Sequence, residues 1–264
     1  MSLWAFASLS GSPGVTTTAV LAGACAARRA LVVEADPFGS ALSARFGLAP
    51  RPGLSTLVAA RRDRSPEAPW AHAQVLPGGL EVLVGLPSVA QTLALHGDWA
   101  ELGETLAALD GLAIADMGRL LPGPPAPLAL ARAAQALAVV VRPSIAEAAR
   151  VRAALPLLHA LNENLGLVVI GRHPYGPEEV SRATGVEVFG VLADDPAGAG
   201  LAGGRTGSPR ALRRSALVRS VAGLVRDMET RAGRPAGARD QGVPGTAGET
   251  APEVEADLTT GRGR

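Results

Sequence analysis

Three short stretches of the chain carry residue types that can handle a phosphate and a divalent cation. The first is Ser8-Leu9-Ser10-Gly11-Ser12-Pro13-Gly14-Val15-Thr16-Thr17-Thr18, where an apolar run passes through a Gly- and Pro-bearing loop into a threonine-rich helix start. In a strand–loop–helix of this kind, backbone N–H groups converge on one spot and the helix dipole favours an anion there. The second is Val32-Val33-Glu34-Ala35-Asp36-Pro37 and the third Ala113-Ile114-Ala115-Asp116, each an apolar run reaching a carboxylate. Strand C-termini face the crevice of an open α/β sheet, so a carboxylate ending such a strand is a candidate site residue. Each residue also has a plainer use. Thr16 or Ser12 can cap a helix, and Asp36-Pro37 and Asp194-Asp195-Pro196 are ordinary turn formers.

What is missing narrows the chemistry as much as what is present. All 25 basic residues among the 264 are arginine. Without a lysine there is no Schiff base and no ammonium at a phosphate loop. The lone Cys25 excludes an internal disulfide and a multi-cysteine metal site. His72, His96, His159 and His173 lack metal-ligand spacing and read as structural or surface residues, and Arg61, Arg62 and Arg64 as a solvated loop. A net charge of +1 argues against a surface that coats nucleic acid uniformly. No uninterrupted apolar run approaches the ~20 residues of a membrane span. The uncharged start lacks a basic segment before its apolar stretch and is broken at Gly11-Ser12-Pro13-Gly14, which argues against export and for the cytoplasm.

The elements that must position these residues follow from the spacing of apolar runs. Buried strands are expected over residues 3–9, 31–35, 112–116, 136–141, 167–170 and 186–192, with a strand pair at 72–76 and 80–86 around Pro77-Gly78-Gly79. Helices are expected over 16–29, 40–46, 54–62, 88–95, 99–109, from Pro143-Ser144 onward, and over 177–184. Short apolar strands alternating with helices specify a mostly parallel, doubly wound sheet of about seven strands, covered on both faces in a single α/β domain. A last amphipathic helix, 208–231, puts Leu217, Val221, Leu224, Val225 and Met228 on one face, with Arg213, Arg214 and Arg226 to the side. It reads as a helix capping the sheet, with a DNA or membrane-surface contact as the alternative. The domain is expected to span residues 1–231. The Gly-, Ala- and Thr-rich segment 232–264 is expected to be a disordered tail.

The loop resembles the deviant Walker A loop of the ParA/MinD ATPases, whose pattern is K-G-G-x-G-K-T-T. Gly11, Gly14, Thr16 and Thr17 match it. The signature lysine falls on Ser10, a loop glycine on Ser12, and the P-loop lysine on Val15. Glu34-Ala35-Asp36-Pro37 resembles that family's second-strand D-x-D-P element, and Ala113-Ile114-Ala115-Asp116 its Walker B strand. Residues 168–172 and 186–196 resemble its late strands, and Arg142-Pro143-Ser144 stands where it has a strand end followed by a helix. The resemblance spans residues 1 to about 230.

A P-loop NTPase-like fold is what this resemblance implies, with ATP or ADP and magnesium at the loop and a homodimer that recruits a protein partner. It assigns cofactor binding to Gly11, Ser12, Gly14, Val15, Thr16, Thr17 and Arg172. It assigns the metal to Thr16 and Asp116, and water orientation in catalysis to Asp36. The departures cut against hydrolysis, because phosphoryl transfer is mostly positioning and charge neutralisation and both family lysines are gone. That leaves two readings. One is a catalytically impaired positioning, partitioning or scaffold factor. The other is a slow ATPase in which arginines, Arg119 among them, replace the lysines.

Overall fold

The computed structural model describes residues 3–11, 13–39, 41–60, 65–95, 98–120 and 127–232. Ser12, the cluster Arg61, Arg62 and Arg64, His96 and the expected tail from residue 233 on lie outside the described residues, while Ala232, expected to begin that tail, ends the last helix.

Apolar runs without alternation form the strands: β1 (Leu3–Ser8), β2 (Ala30–Glu34), β3 (Gln74–Val75), β4 (Glu81–Leu83), β5 (Leu112–Arg119), β6 (Ala136–Val141), β7 (Leu165–Ile170) and β8 (Val188–Leu192). Every residue of β1, β2, β6 and β7 is buried, as expected of strands with both faces covered. The sheet order is β3-β4-β2-β5-β1-β6-β7-β8, parallel at each junction except the antiparallel β3–β4 pair. Among the described residues the sheet has eight strands, one for each of the expected apolar runs and one more than the overall count of about seven. The expected strand pair at 72–76 and 80–86 is present as β3 and β4, joined across the Pro77-Gly78-Gly79 turn.

The helices are α1 (Val15–Cys25), α2 (Ala41–Phe46), α3 (Leu54–Ala59), α4 (Ala68–Ala71), α5 (Val89–Ala94), α6 (Trp99–Ala107), α7 (Leu128–Ala133), α8 (Ile145–Leu161), α9 (Pro177–Thr184), α10 (Pro196–Ala202), α11 (Pro209–Arg214) and α12 (Ala216–Ala232). Two apolar clusters separate the faces. On one, Trp99, Leu102 and Leu106 of α6 pack with Leu130 of α7, Val151 and Leu158 of α8, and the odd-numbered residues Leu3, Ala113 and Met117 of the sheet. On the other, α1, α2, α10 and α12 cover the even-numbered Trp4, Phe6 and Ile114.

The expected last helix is two helices. Ser215 is extended (φ −62°, ψ 150°) and closes α11, and its hydroxyl accepts the Val218 amide at 3.1 Å in the first turn of α12. The apolar stripe of α12 is buried inside the fold, which makes this helix a cap on the sheet.

The ladder is irregular beside the end of β1. Phe6 of β1 lies opposite Asp116 of β5, yet Ser8 lies opposite Arg119, so β5 carries one extra residue. The bulge shifts the alternation. Met117 is on the α6 face as an odd residue, and the even Leu120 joins it there.

Candidate functional site

At the C-terminal edge of the sheet, β1 lies between β5 and β6, and its end opens into the Gly11–Gly14 loop. Gly14 (φ 108°) precedes the first turn of α1 in a left-handed conformation, and a Cβ on it would come within 3.1 Å of Ile170 Cδ1. Glycine is thus needed there for backbone and for space. Its carbonyl accepts the Thr18 amide at 2.9 Å, which starts the helix.

Around this turn opens a cleft of about 660 Å³. Gly11, Gly14, Val15, Thr16 and Thr17 line it from the loop and α1, and Asp36 from beyond β2. Arg45 of α2, Arg119 of β5 and Arg142 after β6 line it as well, with Asp194 and Asp195 after β8. The expected site residues Gly11, Gly14, Val15, Thr16, Thr17 and Asp36 are therefore brought together. Val15 is buried, with its side chain in the apolar cluster on the α1 face. Arg172 is exposed, and the lining on its strand stops at Ile170.

Asp116 lies beneath the floor of the cleft, fully buried. Its Oδ1 accepts the Gly118 amide at 3.1 Å, while Oδ2 has no hydrogen-bond partner among the described residues. Burial pushes this carboxyl up to about 7. The nearby Thr16 hydroxyl and the Gly118 amide favour the charged form, and Asp36 and Glu34 oppose it. Thr16 approaches without completing a bond to Oδ2. Asp36 Oδ1 accepts the Phe38 amide at 2.8 Å, and burial raises this carboxyl too, against that hydrogen bond. Gly118 has φ 57°, and a Cβ there would overlap the Asp36 carboxylate. The absence of a side chain at 118 lets the two acids share one corner.

Glu34 belongs to the frame. Its Oε1 accepts the Leu42 amide at 2.7 Å and its Oε2 the Gly85 amide at 3.0 Å, so the buried carboxyl ties α2 and the segment after β4 to β2. Asp195 is a helix cap, accepting the Gly198 amide at 2.8 Å, and its backbone hydrogen bonds hold its carboxyl below the usual range. Among the described residues no three His, Cys, Asp or Glu side chains group as a metal site. The donors gathered here are oxygens, Thr16 with Asp116 and Asp36, which suit a hard divalent cation completed by a phosphate and water. The orphaned Asp116 Oδ2 fits that role.

Sequence reasoning passed over Arg45 and the Arg142–Asp194 pair, whose guanidinium Nη1 lies 3.1 Å from Oδ2. Arg142 was visible as the residue ending an apolar run before Pro143. That β6 neighbours β1 was the missing fact.

No protein-family model matches the chain, and no curated protein sequence matches it. Solved structures do. The septum site-determining protein MinD complexed with Mg-ADP from Pyrococcus horikoshii OT3 superposes with a TM-score of 0.67 at 19% identity, covering 88% of this chain and 97% of that one. A ParA family ATPase from Chlorobium tepidum TLS gives 0.67 at 16%, covering 85% and 98%. An ATP complex of a Cyanothece McdA variant gives 0.62 at 18%, covering 87% and 96%. The chain has the fold of the MinD and ParA ATPases over nearly the whole of those proteins.

Proposed function

We propose that this chain is a ParA/MinD-type nucleotide-binding protein that works as a positioning or scaffold factor, with hydrolysis impaired. The observation that carries the reading is the cleft itself. Thr16 and Asp36 line it beside the loop with Asp116 buried next to them, while the residue where the family has its P-loop lysine, Val15, is packed into the core. Loop amides and the α1 N-terminus would cradle the phosphates, Thr16 and Asp116 would hold the magnesium, and Asp36 would orient water. Magnesium supplies charge neutralisation at the phosphates when bound. The similar MinD structure is a Mg-ADP complex and the McdA structure an ATP complex, which supports a nucleotide in this cleft. Loss of each charge-assisted contact weakens transition-state stabilisation by about 1.5–3 kcal/mol, so turnover is slow or absent. A homodimer acting in the cytoplasm, built on a domain of residues 1–231, completes the proposal.

Calorimetric titration with Mg-ATP followed by phosphate release tests it. Binding is expected, with turnover at background. Turnover that Asp36→Ala abolishes would instead establish the slow ATPase, and no binding heat at any concentration would end the nucleotide reading.

A second reading rests on charge. Between Asp195 and Asp227 the chain has six arginines, at 205, 210, 213, 214, 219 and 226, and no acid. With the apolar stripe of α12 buried, the exposed side of α11 and of α12 as far as Arg226 is basic, which suits a phosphate backbone better than a bilayer interior. Retention of duplex DNA that falls steeply with salt supports it, and retention indifferent to salt sinks it.

A further inference from the structure

We propose that Arg142 binds the anion in this cleft and that Asp194 holds it in reserve, through an ion pair the ligand must displace. The inference rests on the nucleotide reading and identifies the cation that reading lacks.

Sheet order gives the first part of the argument. Ala7 of β1 pairs with Val139 of β6, so the loop after Ser8 and the chain at Arg142 leave the sheet side by side. Ser8 is also opposite Arg119 on β5. The loop without a cation is therefore flanked by Arg119 at the end of β5 and by Arg142 just past the end of β6, and both line the cleft. Arg119 has no carboxylate partner among the described residues, whereas Arg142 reaches across the end of β7 to Asp194, with Nη1–Oδ2 at 3.1 Å and Nη2–Oδ1 at 3.5 Å.

Exposure gives the second part. The two side chains are 53% and 52% exposed, and a solvated pair of this kind contributes little to stability. It exchanges readily for a phosphate, which a guanidinium fork meets as well as it meets a carboxylate. Asp194 has a second effect. As a carboxylate in the lining it repels the same anion that Arg142 attracts. Ligand binding thus requires one exchange, Asp194 for phosphate, and the pair sets the threshold concentration.

The full chain is titrated with Mg-ATP, and separately with tripolyphosphate, as wild type, Asp194→Asn, Arg142→Gln and the double variant, with circular dichroism melts confirming the fold of each. Asp194→Asn is expected to bind Mg-ATP about fivefold more tightly, ~1 kcal/mol. Arg142→Gln is expected to bind about tenfold more weakly. The double variant is expected to match Arg142→Gln alone, because the gain acts through Arg142. If the Asp194→Asn gain survives in the Arg142→Gln background, the effect is a general field and the exchange is wrong. Wild-type affinity in Arg142→Gln also overturns the inference while leaving the nucleotide reading intact. Binding by Asp194→Asn alone supports it, and failure of wild type and all three variants with both probes overturns inference and reading together.

Discussion

At the scale of single residues, Asp116 and Gly118 control the corner where an anion and its cation would meet. An unfolded aspartate titrates near ~3.9, and the buried Asp116 carboxyl is raised to about 7. The native state therefore holds the proton more tightly than the unfolded chain. The stability this gives is fully present below about pH 4 and is lost as pH rises through 7. Asp116→Asn is expected to flatten that pH dependence and to raise stability at pH 8 by about 2 kcal/mol, read from urea melts at pH 5 and pH 8. An unchanged profile would place the titration elsewhere. A bound divalent cation works against the proton, so Mg-nucleotide binding at pH 6.5 should release protons, seen as a binding enthalpy that varies with buffer. Gly118→Ala forces a side chain into the Asp36 carboxylate at a positive φ. A loss of about 1–3 kcal/mol in thermal or urea melts, with weaker nucleotide binding, is the expected result.

At the scale of elements, the fold was largely legible because strands buried on both faces spell themselves as apolar runs. β1, β2, β5, β6 and β7 all announced themselves in this way. Break points between helices were harder to read. Ser215 divides α11 from α12 through one extended residue and one hydroxyl, a local choice that helical periodicity across 208–231 does not register. Site residues within one segment, Gly14 with Thr16, were readable from spacing. The Arg142–Asp194 pair was not, because 52 residues separate its members and only the sheet order joins them. Leu224 of α12 lies over Gly190 of β8, where a Cβ would come within 2.9 Å of its Cδ1. Leu224→Ala opens a cavity at that contact and should cost about 2–4 kcal/mol in denaturant melts. A cost near zero would mean that α12 is not part of the cooperative core.

At the scale of the molecule, the described elements form one sheet with a helical layer on each face, closed by α12 at residue 232. A chain ending at residue 232 is therefore expected to melt within about 2 °C of the full-length protein, since shifts larger than this correspond to ~1 kcal/mol or more. A larger loss in differential scanning calorimetry would extend the cooperative unit past that point. The bulge in β5 also limits how such a chain can change. Beyond Met117 the alternation of sides is one residue out of phase, so Asp116 and Arg119, three apart, come to serve the same side of the sheet. Deleting a single residue there would restore a regular ladder and leave the arginine two places from Asp116, still on the same side. One residue can therefore be lost from this stretch with the arginine kept on the site side, whereas a loss of two would put it beside Asp116 on the opposite face, a counting rule that point substitutions never meet.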